Sequence, residues 1–167
     1  MESKPAGQSP LKQKLNDDLH QYMKSGDKVK VGVIRLLLSA IRNGEIAKQG
    51  ELAKRGEEGV EVNFNDTDIY GVIAREIRQR LESIESYKAG NRPDLVAIEE
   101  TEMAILISYQ PKQATREEIL EAAKRIVAET GAQGQRDKGK VMPKLVAEFK
   151  GKADGKVINE VVTELLK

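Results

Sequence analysis

Between Asp66 and Pro111 the apolar residues recur three and four apart, with one break of turn chemistry in the middle. Ile69, Val72, Ile73, Ile77, Leu81 and Ile84 mark one face of a helix, not the alternation of a strand. Asn65 or Asp66 fits the N-cap, and Asp68 places a carboxylate in the first turn. This helix is expected to run to about Ala89, where Gly90-Asn91-Arg92-Pro93-Asp94 turns the chain. A second helix then carries Leu95, Ile98, Ile105, Leu106 and Tyr109 on one side, and Pro111 should stop it. Two long helices joined by so short a turn lie antiparallel. The rest of an all-α chain is expected to pack around this pair.

Upstream, Ser9 and Pro10 fit the cap and first position of a helix to about Lys24, with Leu11, Leu15, Leu19, Tyr22 and Met23 inward. A helix from about Lys28 to Gln49 carries Val29, Val33, Leu36, Leu37, Ala40 and Ile41. The periodicity dissolves from Gly50 to Asn65, which reads as a mobile loop with a short extended piece at Val60–Phe64. Downstream, Thr115-Arg116-Glu117-Glu118 fits a capping box for a helix to about Thr130. A helix from about Asp137 to Phe149 contains Pro143, which should kink it or delay its start. The last helix runs from about Gly155 to Lys167. The expected organisation is a disordered tail at 1–10, an N-terminal helical domain at 11–111 with the loop at 50–65, and a small three-helix C-terminal domain at 112–167.

Composition removes several classes of function. Among 167 residues there are no cysteines and one histidine, so neither a disulfide scaffold nor a His/Cys metal site is available within one chain. No apolar run approaches the roughly 18–20 residues that span a bilayer, so no membrane partner is expected. The first ten residues lack an apolar signal core, and the expected location is the cytoplasm. Oligomeric state is left open.

No self-contained active site emerges, and no cofactor or metal is expected. His20 stands outside any motif and reads as a surface or half-buried helix residue rather than a catalytic one. Ser39, Ser83, Ser86 and Ser108 all fall within helical patterns rather than on strained turns, and no glycine-rich phosphate loop is present. Glu102 is more informative, because it falls between Leu95, Ile98, Ile105 and Tyr109 on the apolar side of its helix. A carboxylate there needs a partner. Arg75, Arg78 and Arg80 on the facing helix and Arg92 in the turn are the candidates, and Glu102 with Arg78 and Arg80 is expected to form a structural ion pair.

Charge is unevenly placed, although the formal net charge is only +1. From Pro93 to Glu121 there are seven acidic and two basic residues; from Gly131 to Lys156 there are seven basic and three acidic. Lys138, Lys140, Lys144, Lys150, Lys152 and Lys156 lie on two turns and one helix of the C-terminal part. Lysines beside glycine turns can hold phosphates and position a nucleic acid without reading its bases. The other reading of the same residues is a solvated surface.

Several of these stretches resemble the GatB/YqeY family. The resemblance rests on Arg75-Glu76-Ile77-Arg78-Gln79-Arg80, Glu82-Ser83-Ile84-Glu85-Ser86-Tyr87 and Asn91-Arg92-Pro93-Asp94-Leu95-Val96. It continues through Glu99, Glu102, Ile105 to Gln113, Gly131-Ala132, Asp137 to Met142, and Lys150-Gly151-Lys152-Ala153-Asp154-Gly155-Lys156-Val157-Ile158-Asn159. It covers nearly the whole chain from Leu11 onward. Departures are Gln110 where Leu is usual, Pro143 where Gly is common, and a longer Gly50–Asn65 loop. The resemblance implies a two-part helical fold related to the tail of the B subunit of the tRNA-dependent amidotransferase, a tail that helps hold tRNA. It therefore implies a non-catalytic module with tRNA or amidotransferase subunits as partners. The alternatives are an accessory of a carbon–nitrogen ligase with glutamine as amido-N-donor, and a protein–protein adaptor.

Overall fold

The computed structural model describes residues 9–167. Among them are seven α-helices and no strand: α1 (Pro10–Ser25), α2 (Lys28–Lys54), α3 (Asp66–Ala89), α4 (Pro93–Ile107), α5 (Arg116–Thr130), α6 (Lys138–Glu148) and α7 (Gly155–Leu165). The chain separates into two compact units, dividing between Tyr109 and Gln110. Of the tail expected at 1–10, residues 1–8 lie outside the described part. Ser9 and Pro10 are instead structured: Ser9 is buried and its hydroxyl accepts from the Lys12 N–H, with Pro10 opening α1.

In the first unit, α3 and α4 form the antiparallel pair, and α1 and α2 pack on it. Asn65 and Asp68 make a reciprocal capping box at the start of α3. The core is Leu11, Leu15, Val33, Ile34, Leu37, Ile41, Ile69, Ile73, Leu106 and Tyr109. One carboxylate serves two helix starts. Asp66, the first residue of α3, accepts from the Ser9 hydroxyl and, at 3.2 Å, from the Leu11 N–H of α1.

Several expectations for this unit need correction. α2 runs through Gly50 to Lys54, because Glu51, Leu52, Ala53 and Lys54 are strong helix formers whose summed preference exceeds the roughly 1 kcal/mol glycine penalty. The irregular connection is therefore 55–65, and no strand forms at Val60–Phe64. The alternation there has another cause: Val62 and Phe64 turn inward while Glu61 and Asn63 face solvent. Phe64 seats its ring on Gly44 of α2, and its N–H donates to Glu45 at 2.9 Å. Glu45 also holds Lys12 of α1 at 2.7 Å.

α4 ends at Ile107, ahead of Pro111, and the chain tightens through Ser108 into a bond from the Tyr109 N–H to the Leu106 carbonyl. Its buried side is carried by Val96, Leu106 and Tyr109, whereas Ile98 is 53% exposed. Met23, Val29 and Leu36, expected inward, are also exposed. Periodicity locates a stripe but not its edges, and these residues sit on the margins.

The second unit packs α5, α6 and α7 around Ile119, Ala123, Ile126, Val141, Leu145, Ile158, Val161 and Val162. Thr115 and Glu118 form the expected capping box, and Gly131 ends α5 at a left-handed φ of 66°. A single 3-10 turn, Gln135–Asp137, leads into α6. Pro143 lies inside α6 and does not delay its start. Its missing N–H leaves the Gly139 carbonyl without the usual helical donor.

Candidate functional site

The six lysines singled out on sequence do not form one uniform group. α6 rises about 1.5 Å per residue, so its two ends stand roughly 15 Å apart. Lys138 and Lys140 belong to the first end. Lys138 is half-buried, and its ammonium donates to the Thr163 hydroxyl of α7 at 2.5 Å. Lys140 pairs with Asp137 at 2.7 Å. The Lys140 hydrogen bond, then the Gln133 N–H, hold the Asp137 carboxyl below the usual aspartate range. These two ammonium groups are already engaged, one with a hydroxyl and one with a carboxylate.

Lys150, Lys152 and Lys156 gather at the other end, in and just after the α6–α7 turn, and all three are exposed. Lys144 lies between the two ends, one helical turn beyond Lys140 on the same outer stripe, and is also exposed. Lys144, Lys152 and Lys156 make no ion pair among the described residues, whereas Lys150 has a polar or charged partner.

The turn that carries these lysines is pinned by its backbone. The Lys152 N–H donates to the Phe149 carbonyl at 2.8 Å, and the Lys152 carbonyl accepts from the Ala114 N–H at 2.8 Å. The Gln113 side-chain amide donates to the Gly151 carbonyl at 3.2 Å. Gly151 takes a left-handed φ of 76°, where a β-carbon would be strained. Phe149 is buried beneath, and Asp154 caps α7 by accepting from the Lys156 N–H. The main chain is thus fixed while the lysine side chains extend into solvent. The sequence displays the lysines and the glycine; the stitching to residues 113 and 114 comes only from the fold.

In the first unit, Glu102 lies 2.7 Å from Arg80, and the same guanidinium nitrogen meets Glu99 at 2.9 Å. All three side chains are largely shielded, and the Arg80 Nε has no hydrogen-bond partner. Arg78 is exposed on α3, and Arg92 in the turn pairs with Asp94. Glu99 carries no signal in the apolar pattern, so the sequence alone does not point to this second carboxylate. His20 is exposed and hydrogen-bonds the Asn16 carbonyl within α1. No cluster of metal-ligating side chains occurs among the described residues, and none of their helices is long and apolar enough to cross a membrane.

Sequence reasoning also missed a cleft in the first unit. It has a volume of about 650 Å3 and lies between the α1–α2 corner and α4. Tyr22, Asp27, Val29 and Lys30 line one wall, and Thr101, Ala104, Ile105, Ser108 and Tyr109 the other. The Lys30 ammonium stands 4.7 Å from the centre of the Tyr22 ring. A second depression of about 390 Å3 shares Tyr22 and adds Met23, Lys28 and Arg35. The signal for it was present in Ala97, Thr101, Ala104 and Ser108, which put small side chains along one flank of α4 and its C-cap.

Residues 12–166 match the model of the family described as Yqey-like protein. Among curated proteins, the chain is 34% identical over 105 residues to "Altered inheritance of mitochondria protein 41, mitochondrial" of Saccharomyces cerevisiae (strain YJM789), covering 63% of this chain and 51% of the relative. The protein of the same name from Vanderwaltozyma polyspora is 33% identical over 95 residues, 57% of this chain and 45% of the relative. That of Lachancea thermotolerans is 34% identical over 95 residues, with the same coverage. The chain spans about half the length of the curated relatives it matches. These names overturn the cytoplasmic expectation, which rested on absences in the sequence: the relatives are named as mitochondrial proteins. With its helical fold and a match running over nearly all of its length, the chain belongs to the YqeY-like protein family.

Proposed function

We propose that the chain is a non-catalytic tRNA-binding module whose contact surface is the pinned α6–α7 turn. The observation that carries this reading is the pairing of a fixed backbone with exposed ammonium groups. Lys144, Lys152 and Lys156 have no carboxylate to neutralise them among the described residues, and the turn that carries Lys152 and leads to Lys156 is hydrogen-bonded on both sides. Such lysines displace counterions from a phosphate backbone and set its position without selecting a base. The choice of tRNA among nucleic acids follows from the sequence resemblance described above. Lys138 and Lys140 contribute less, because each already has an intramolecular partner.

The test is filter binding of tRNA by the purified chain over a series of salt concentrations. Affinity should fall linearly on a log–log plot. The variant K144A/K152A/K156A should bind more weakly, with a slope shallower by about two to three, since each phosphate neutralised accounts for roughly 0.7–0.9 of that slope. All three positions are exposed, so circular dichroism and melting of the variant should match the parent. Absence of binding at low salt, or a triple variant that binds like the parent, would overturn the reading.

A further inference from the structure

We propose that the cleft of the first unit docks an acidic amphipathic helix from a partner protein. The inference uses none of the lysines assigned to RNA and stands apart from that reading. Its first support is shape. The α4 wall presents Thr101, Ala104 and Ser108 at i, i+3 and i+7, a row of short side chains about 10 Å long. Short side chains let a second helix approach to the lower end of the usual 8–10 Å interaxial spacing.

The second support is apolar surface left uncovered. Val29 is 50% exposed on one wall, Met23 51% exposed beside the adjoining depression, and Ile98 lies one turn along α4 from Thr101. With Ile105 and the two tyrosine rings, they offer an apolar floor and rim to the inner stripe of a helix.

The third support is charge, and it selects the occupant. Lys24 in the last turn of α1, with Lys28 and Arg35 of α2, stands at the α1–α2 corner without a carboxylate partner among the described residues; the Arg35 guanidinium donates to the Met23 sulfur at 3.8 Å. The acids nearby are engaged: Asp27 caps α2 and reaches Lys30 at 3.3 Å, Asp18 pairs with Lys14, and Asp17 accepts from Gln13. Lys28 and Lys30 also sit in the first turn of α2, where the helix dipole opposes them. Carboxylates flanking the apolar stripe of an incoming helix would relieve that excess.

The probe is a designed, fluorescein-labelled amphipathic peptide of about four turns, with a leucine stripe flanked by glutamates and read by fluorescence anisotropy. Its counterpart has lysine at every glutamate. The acidic peptide should bind about tenfold more tightly than the basic one. K28E/R35E should reverse that preference, and A104R, which fills the floor from an exposed helical position, should abolish binding of both peptides. Unchanged circular dichroism of K28E/R35E keeps the result interpretable if A104R fails to fold. Equal binding of the two peptides, or of neither, overturns the proposal. So does a K28E/R35E protein that binds the acidic peptide normally but has lost tRNA affinity, since those cations would then serve RNA.

Discussion

The Tyr109 hydroxyl donates a 2.7 Å hydrogen bond to Oδ2 of Asp18, tying the turn after α4 to α1 across 91 positions of sequence. Lys14 completes the arrangement, 2.8 Å from the same carboxylate and 5.5 Å from the centre of the Tyr109 ring. Burial works to raise the Asp18 pKa, but the hydrogen bonds from Lys14 and Tyr109 outweigh it, and the carboxyl is held below its usual value. Burial, and then the adjacent Asp18, push the Tyr109 phenol well above its ordinary range.

Opposite pH trends follow at the two extremes. The Asp18 contribution should be complete above its unfolded pKa of about 4 and be lost as pH falls through the lower folded value. The Tyr109 contribution should be complete below about pH 10 and decline above it, because the unfolded phenol ionises there while the folded one stays neutral. Tyr109→Phe should lower stability by about 1–2 kcal/mol at neutral pH, leaving Asp18 with one donor fewer. Urea midpoints measured between acid and alkaline pH should show both slopes in the parent and a flatter alkaline limb in the variant.

Gly44 makes the seat for Phe64. A β-carbon added at position 44 would lie 2.7 Å from Cε2 of the ring, so the ring would have to move. Gly44→Ala should therefore loosen segment 55–65, even though alanine favours the helix itself by about 1 kcal/mol. Faster tryptic cleavage after Lys54 and Arg55 is the expected readout. Phe64→Ala removes the same packing, so the double variant should be no more protease-sensitive than Phe64→Ala alone.

The helices were legible because each carries local instructions. Asn65 with Asp68, Thr115 with Glu118, and Ser9 with Pro10 mark starts, and Gly26 and Gly131 mark ends; these signals act within a turn or two. What could not be read depends on partners distant in sequence. Phe64 reads as part of a short extended piece in a mobile loop until Gly44 is known to lie beneath it. Glu99 has no place in the apolar pattern, and its role shows only once Arg80 is placed between it and Glu102. The lysine turn follows the same rule, since its rigidity comes from residues 113 and 114. The cleft needs α1, α2 and α4 together, and its tyrosines are ordinary core residues in any single-helix view.

Arg80 should matter more than either acid it serves. Glu102→Gln leaves Glu99 to neutralise the guanidinium, and should lower stability by about 1 kcal/mol. Arg80→Met leaves two shielded carboxylates facing each other, and should lower it by about 3 kcal/mol. Denaturant unfolding of the three proteins at neutral pH measures both effects, and an Arg80→Met deficit no larger than that of Glu102→Gln would count against the shared pairing.

Pro143 offers a test in the opposite direction. It is exposed at the sixth residue of α6, one turn past Gly139, and an interior proline costs a helix about 3 kcal/mol relative to alanine. Gly139, whose carbonyl faces the ring, has more backbone freedom to yield than other residues, so the native penalty should fall below that figure. Pro143→Ala restores the N–H that the Gly139 carbonyl lacks and should raise the stability of the second unit by about 1–2 kcal/mol. Hydrogen exchange should slow at the amides of α6, where the repaired turn resists local opening. If the lysine turn alone sets RNA affinity, the same variant should bind tRNA as the parent does, because Lys152 and Lys156 are held by contacts to Phe149, residues 113–114 and Asp154 rather than by the middle of α6.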